Sequence, residues 1–150
     1  MLESTLTVAD IVGPNGNPVV TVHPRDTIAD SVDLLKEHGI GAVVVSRDDD
    51  AINGIISERD IVRHLAREQE GTLRLKVEDL MTSTVSTCGL DAPINDVMAT
   101  MTRGRFRHMP VVNATGELCG IVSMGDLVKA RLDELEAETI KLEQLVSTTS

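Results

Sequence analysis

The chain has 150 residues, with 24 acidic against 14 basic side chains, a formal charge of −10 and 41% hydrophobic content. Such acidity argues against nucleic acid as the main partner, because polyanion binding rests on clustered Lys and Arg, and Phe106 alone cannot make a base-stacking platform. Cys88 and Cys119 have no metal-ligand or framework spacing, and no stretch nears the roughly 18 apolar residues of a membrane span, so a soluble cytoplasmic protein without a membrane partner is expected.

In chain order, "TVADIV" (7–12) reads as a short helix and "GPNGNP" (13–18) as a turn-rich connection. "VVTV" (19–22) reads as a short strand. In "TIADSVDLLKEHG" (27–39), Ile28, Val32 and Leu35 fall at helical spacing and Gly39 supplies a stop. "AVVVS" (42–46) is a β-branched strand, "RDDDAIN" (47–53) a turn and "GIIS" (54–57) a returning strand, with a helix starting at Ser57. The acidic run Asp48–Asp50 lacks the alternate ligands, sixth-position Gly and twelfth-position Glu of a calcium loop, so it reads as a solvated turn.

The same order then recurs. Sliding the sequence by 66 residues aligns Thr21–Val62 with Thr87–Val128 without a gap, and the identical pairs include Ile28/Ile94, Asp30/Asp96, Val45/Val111, Gly54/Gly120, Ser57/Ser123 and Asp60/Asp126. "VEDLM" (77–81) matches "VADIV" (8–12) at a slightly larger offset, and "VST" (85–87) is read as the counterpart of the first strand. Each copy thus reads as strand, helix, strand, strand, helix after a short leading helix. About 60 residues are marginal alone, so the copies are expected to pack sheet against sheet in one body.

The last segment, "DLVKARLDELEAETIKLEQLV" (126–146), places Val128, Leu132, Leu135, Thr139, Leu142 and Val146 alternately four and three apart. That seam suits a coiled coil between two chains or an amphipathic helix lying on its own domain.

The repeated motif is "GIISERDIV" (54–62) and "GIVSMGDLV" (120–128). Ser with Asp three positions later makes an ordinary helix cap. The same geometry suits a ligand: a helix start offers free N–H groups and a hydroxyl to phosphate, and a carboxylate one turn on can accept both hydroxyls of a ribose. Capping does not require the strand, Ser and Asp to recur at one spacing, so recurrence favours a ligand site in each copy.

Together with "RFRHMPVV" (105–112), these two segments resemble the signature of the CBS domain, named after cystathionine β-synthase. The resemblance covers about residues 5–132 and implies an α+β fold of two tandem β-α-β-β-α motifs packed sheet to sheet with pseudo-two-fold symmetry, plus a C-terminal helix. The boundaries expected are 5–71, 72–132, and 133–150 for the helix and tail. The family implies a stand-alone regulatory pair, not an enzyme, that binds AMP, ADP, ATP, NAD(H) or S-adenosylmethionine between its copies and signals to a regulated partner, commonly as a homodimer.

Carried onto this chain, the resemblance gives Asp60 and Asp126 to ribose, Ser57 and Ser123 to phosphate or ribose, and the backbone at Thr21–Val22 and Thr87–Cys88 to the adenine edge. Ile40, Ala42, Met109 and Pro110 would be apolar walls, with Ile55 and Ile121 nearby.

The copies differ beside these positions. Gly41 and Ala42 align with Arg107 and His108, and Arg105 and Arg107 are expected on one face of a strand, a cationic patch on an acidic chain. Two unlike sites are therefore expected, one roomy beside Gly41 and one charged beside Arg107. Arg59, Arg63 and Lys129 are secondary candidates near the helix starts. The alternatives are an interaction or dimerisation module with vestigial clefts, and a nucleotide-linked dehydrogenase, for which a Gly-rich fingerprint and a catalytic Cys–His arrangement are lacking.

Overall fold

A computed structural model describes residues 4–149. After α1 (Val8–Val12), the first repeat runs β1 (Thr21–Val22), α2 (Ile28–His38), β2 (Ala42–Val45), β3 (Gly54–Ser57) and α3 (Glu58–Arg67). A 3₁₀ turn (Thr72–Arg74) leads to α4 (Val77–Leu80), and the second repeat follows as β4 (Cys88–Gly89), α5 (Ile94–Gly104), β5 (His108–Val112), β6 (Leu118–Ser123) and α6 (Met124–Thr149). The fold is α+β, with two three-stranded sheets, β1-β2-β3 and β4-β5-β6. In each the first pairing is parallel and the second antiparallel.

Local chemistry sets the helix ends. Thr27 Oγ1 accepts from the Asp30 N–H at 3.2 Å and the Asp30 carboxylate accepts from the Thr27 N–H at 2.9 Å, a closed capping box at the start of α2. Gly39, with φ +61°, closes that helix in the left-handed conformation. Arg105 occupies the matching position after α5 with φ +58°. "RGRFR" is therefore a helix end and connection, and β5 begins only at His108: Arg105 and Arg107 do not alternate along a strand as expected.

A second difference lies in the leading strands. In the first half the Val44 N–H reaches the Val20 carbonyl at 3.4 Å. The matching residue, Pro110, has no N–H to give, so pairing in the second half starts at Cys88↔Val111, and the strand read at 85–87 forms at Cys88–Gly89 instead.

Each repeat completes its core with the other's leading helix. Val8 of α1 is fully buried with Ile94, Val97, Met101, Met109, Val111, Val122 and Leu127 of the second repeat. Val77 of α4 is buried with Val22, Ile28, Val43, Val45, Ile56 and Ile61 of the first. Backbone bonds fix the exchange: the Val8 N–H donates to Ala92 O and the Val77 N–H to Asp26 O.

The exchange explains the glycine that opens the repeated motif. The segment after α4 crosses Gly54, where a Cβ would lie 2.5 Å from Met81 Sδ and 2.9 Å from Thr82 O. The turn before β1 crosses Gly120, where a Cβ would meet Asn17 Oδ1 at 2.5 Å. The halves also meet where the Leu118 N–H donates to Asp50 O at 2.9 Å. In the acidic turn the Asp48 carboxylate accepts from the N–H groups of Asp50 and Ala51, which hold it below the usual carboxylate range.

α6 buries Leu127 and joins Arg131 to Glu134, but Leu132, Leu142 and Val146 of the heptad seam are 59–68% exposed. From Thr139 to Ser147 every residue is exposed, so this chain leaves that seam uncovered.

Candidate functional site

The two helix starts that carry the repeated motif are held alike by backbone. The Glu58 N–H donates to Gly41 O at 3.0 Å, and the Met124 N–H donates to Arg107 O at 2.8 Å. Each helix start is thereby tied to the residue that precedes the central strand of its own sheet. Ser57 Oγ accepts from the Asp60 N–H at 3.2 Å, and Ser123 Oγ accepts from the Asp126 N–H at 3.1 Å.

The side chains then diverge. Asp60 Oδ2 accepts from both the N–H and the hydroxyl of Ser57, at 2.9 and 3.0 Å, which closes the box and leaves Oδ1 without a hydrogen bond among the described residues. Asp126 is exposed, and its carboxylate has no hydrogen bond or ion pair among the described residues.

Between the halves lies a cleft of about 320 Å³. From the first repeat Gly41, Ala42, Ser57, Arg59 and Asp60 line it, with Ile55 on the wall. From the second come Arg105, Arg107 and His108. Gly41 and Arg107, expected beside two separate sites, thus line the same cleft. The starts of β2 and β5 face each other so closely that a Cβ on Gly41 would lie 3.2 Å from the His108 ring.

Sequence reasoning missed part of the lining: Thr82, Thr84, Val85 and Ser86, which follow α4, together with Glu58, Gly104 and Phe106. The signal was present in the match between "VADIV" and "VEDLM", since an exchanged leading helix carries the residues after it onto the other half.

The other expected site residues stand elsewhere. The Thr21 hydroxyl donates to the Asp49 carboxylate, Val22 is buried in the first core and Ile40 packs against it. Thr87 is exposed, and Met109 is buried in the second core beside buried Pro110. The Cys88 thiol points at Pro110 O at 3.9 Å, and burial, with a smaller effect from Cys119, pushes its pKa up to about 11. Cys88 is thus a protonated packing group at neutral pH. Ser123 and Asp126 open α6 outside the 320 Å³ cleft.

The electrostatics of the cleft are opposite in sign to those of the chain. Arg59, Arg63, Arg105 and Arg107 face Glu58 and Asp60, a local surplus of two positive charges in a protein of net −10. None of the four guanidinium groups has an ion-pair partner among the described residues. Burial lowers the pKa of His108, Glu58 and Asp126 oppose that shift and Arg107 reinforces it, so the imidazole is neutral at pH 7. No group of His, Cys, Asp or Glu among the described residues is arranged to hold a metal ion, and no described helix is long and apolar enough to cross a membrane.

A half-enclosed, cationic cleft between two copies of one α/β unit, with the start of α3 on its rim, defines a tandem ligand-binding module. The sequence profile of the CBS domain matches residues 8–67 and 77–133, and the chain belongs to the CBS domain family. Its fold is similar to the CBS-domain containing protein ATU1752 of Agrobacterium tumefaciens, at 41% identity and TM-score 0.79 over 84% of this chain and 99% of that one. It is similar as well to CBS domain protein PAE2072 of Pyrobaculum aerophilum, solved with AMP, at 27% identity and TM-score 0.75 over 89% and 99% of the two chains. The CBS domain pair of protein MJ0100, in complex with 5′-methylthioadenosine and S-adenosyl-L-methionine, aligns at 26% identity and TM-score 0.75 over 86% and 98%. Two CBS-domain proteins similar to this one thus hold adenosine-containing ligands.

Proposed function

We propose that this protein is a regulatory module, not an enzyme, that binds an adenine nucleotide between its two halves. The observation that carries this reading is the convergence of Ser57 and Asp60 from one repeat with unpaired Arg105 and Arg107 from the other on one cleft. In it Asp60 Oδ1 accepts from a ribose hydroxyl, and phosphate is received by the start of α3 and the cleft guanidinium groups, the Ser57 hydroxyl being committed to Asp60. The backbone of Thr84–Ser86 stands where an adenine edge can be read. AMP, ATP and NAD(H) are the ligands considered. Ser123 and Asp126, at the start of α6, belong in this reading to a second, weaker ligand region related by the repeat.

Occupancy favours one relative orientation of the halves, and a regulated protein reads that orientation. Two chains pair through the exposed seam of α6, since Leu132, Leu142 and Val146 otherwise remain in water. The protein acts in the cytoplasm.

A thermal-shift series with AMP, ATP, NADH and S-adenosylmethionine tests the reading. A ligand at a hundredfold excess over its Kd adds about 2.7 kcal/mol to the native state, enough to raise Tm visibly. No shift with any adenosyl compound would contradict it and favour the interaction module.

A further inference from the structure

We propose that the cleft is selective for the number of phosphates, taking a nucleoside di- or triphosphate in preference to a monophosphate or an uncharged adenosyl compound. The proposal rests on the adenine-nucleotide reading above and assigns specificity to Arg59 and Arg63 on one side and Arg105 and Arg107 on the other.

The argument begins with the repeat. At the 66-residue offset Arg59 corresponds to Gly125, Arg105 to Gly39 and Arg107 to Gly41. Three guanidinium groups have glycine counterparts, while the apolar strands, Ser and Asp of the motif are shared. Folding needs none of the three: all are exposed, and Arg105 even sits at φ +58°, where Gly39 is the easier residue. Charge economy does not explain them either, since 24 acidic residues are available for pairing and the four cleft arginines pair with none among the described residues.

What they share is the cleft, and they stand on both of its sides. Arg59 and Arg63 lie one helical turn apart on α3, so their side chains share a face. Arg105 and Arg107 come from the connection between α5 and β5 in the other half. A single phosphate needs the start of α3 and one guanidinium. Additional phosphates, each with further charge and acceptor oxygens, are what four planar forks from two directions can hold. Glu58 and Asp60 offset two of the four charges, so net charge alone is already matched by one phosphate dianion, and the preference for a longer anion comes from the number of guanidinium donors and their spread over both sides of the cleft. His108, neutral at pH 7, supplies a hydrogen bond there instead of a charge.

The experiment is calorimetric titration of the full chain, in magnesium-free buffer, with adenosine, AMP, ADP, ATP and inorganic tripolyphosphate. Wild-type affinity is expected to rise at least tenfold from AMP to ATP and to fall with added salt. In Arg105→Gln/Arg107→Gln, ATP affinity should drop about tenfold or more, the scale of a lost charged hydrogen bond, and by a clearly larger factor than AMP affinity drops. These side chains are exposed, so an unchanged Tm would certify the fold. Equal affinities for AMP and ATP, or equal losses for AMP and ATP in the variant, would overturn the clamp and leave the adenosine reading standing. Binding of tripolyphosphate without any adenosyl preference would do the reverse, and absence of binding by every probe would overturn both.

Discussion

α3 and α6 start from the same Ser and the same Asp three positions on, yet the two starts are differently equipped. At α3 the cap is closed, with Asp60 held by Ser57 and the start facing four arginines in the cleft. At α6 the cap is half made, with the Asp126 carboxylate without a hydrogen bond among the described residues and Met124 and Gly125 in place of Glu58 and Arg59. Duplication supplied two scaffolds, and side chains outside the scaffold made them unequal. Backbone geometry therefore tells where a ligand can sit, and charge tells which of the two places is better furnished.

The halves can be broken in matched pairs, and the largest effects are expected in the cores. Ile28→Ala and Ile94→Ala, both fully buried, should each cost about 2–5 kcal/mol in denaturant unfolding. The exchanged helices sharpen the test. Val8→Ala should accelerate amide hydrogen exchange in β5 and β6 before β2 and β3, whereas Val77→Ala should do the opposite. Faster exchange of each half with its own leading helix would contradict the exchange.

Gly16→Ala comes next. At φ +95° and against the Cys119 carbonyl, it should lower stability by about 1–3 kcal/mol, with the effect centred on the second half. The caps are smaller still. Asp60→Ala opens a closed box and should cost about 1 kcal/mol, whereas Asp126→Ala loses only a dipole interaction of a few tenths. Equal costs would mean that the two starts are capped alike in solution.

His108 gives the pH dependence. Its folded pKa lies below the ordinary value, so the unfolded chain binds the proton more readily and this contribution to stability is lost as pH falls below about 6.5. Acid titration of Tm should be flatter in His108→Gln than in the wild type. Removal of residues after Leu132 should convert a dimer to a monomer by light scattering, and the Tm of the full chain, unlike that of the shortened one, should rise with protein concentration.

Much of the fold could be read from the chain because its signals are local. Thr27 with Asp30, Ser57 with Asp60, and Gly39 mark helix ends through bonds made within a turn. The start of β4 was misread because a missing Pro110 N–H acts through a partner strand 22 residues away in sequence. Arg105 reads as strand because an arginine gives no sign of the left-handed conformation that its counterpart Gly39 marks in the other copy. The site was legible as residue types, Ser, Asp and Arg, but its assembly was not. That Arg105 and Arg107 face Gly41 and Asp60 depends on how two similar sheets abut, and Thr82–Ser86 join them only because α4 crosses to the first half.

The measurement that tests the central claim most directly is backbone NMR of the labelled full chain during titration with ATP. A site spanning both halves predicts shifts that saturate together at Gly41, Asp60 and Arg105–His108. Shifts confined to Ser123–Asp126, or residues of the two halves saturating at different ligand concentrations, would contradict it.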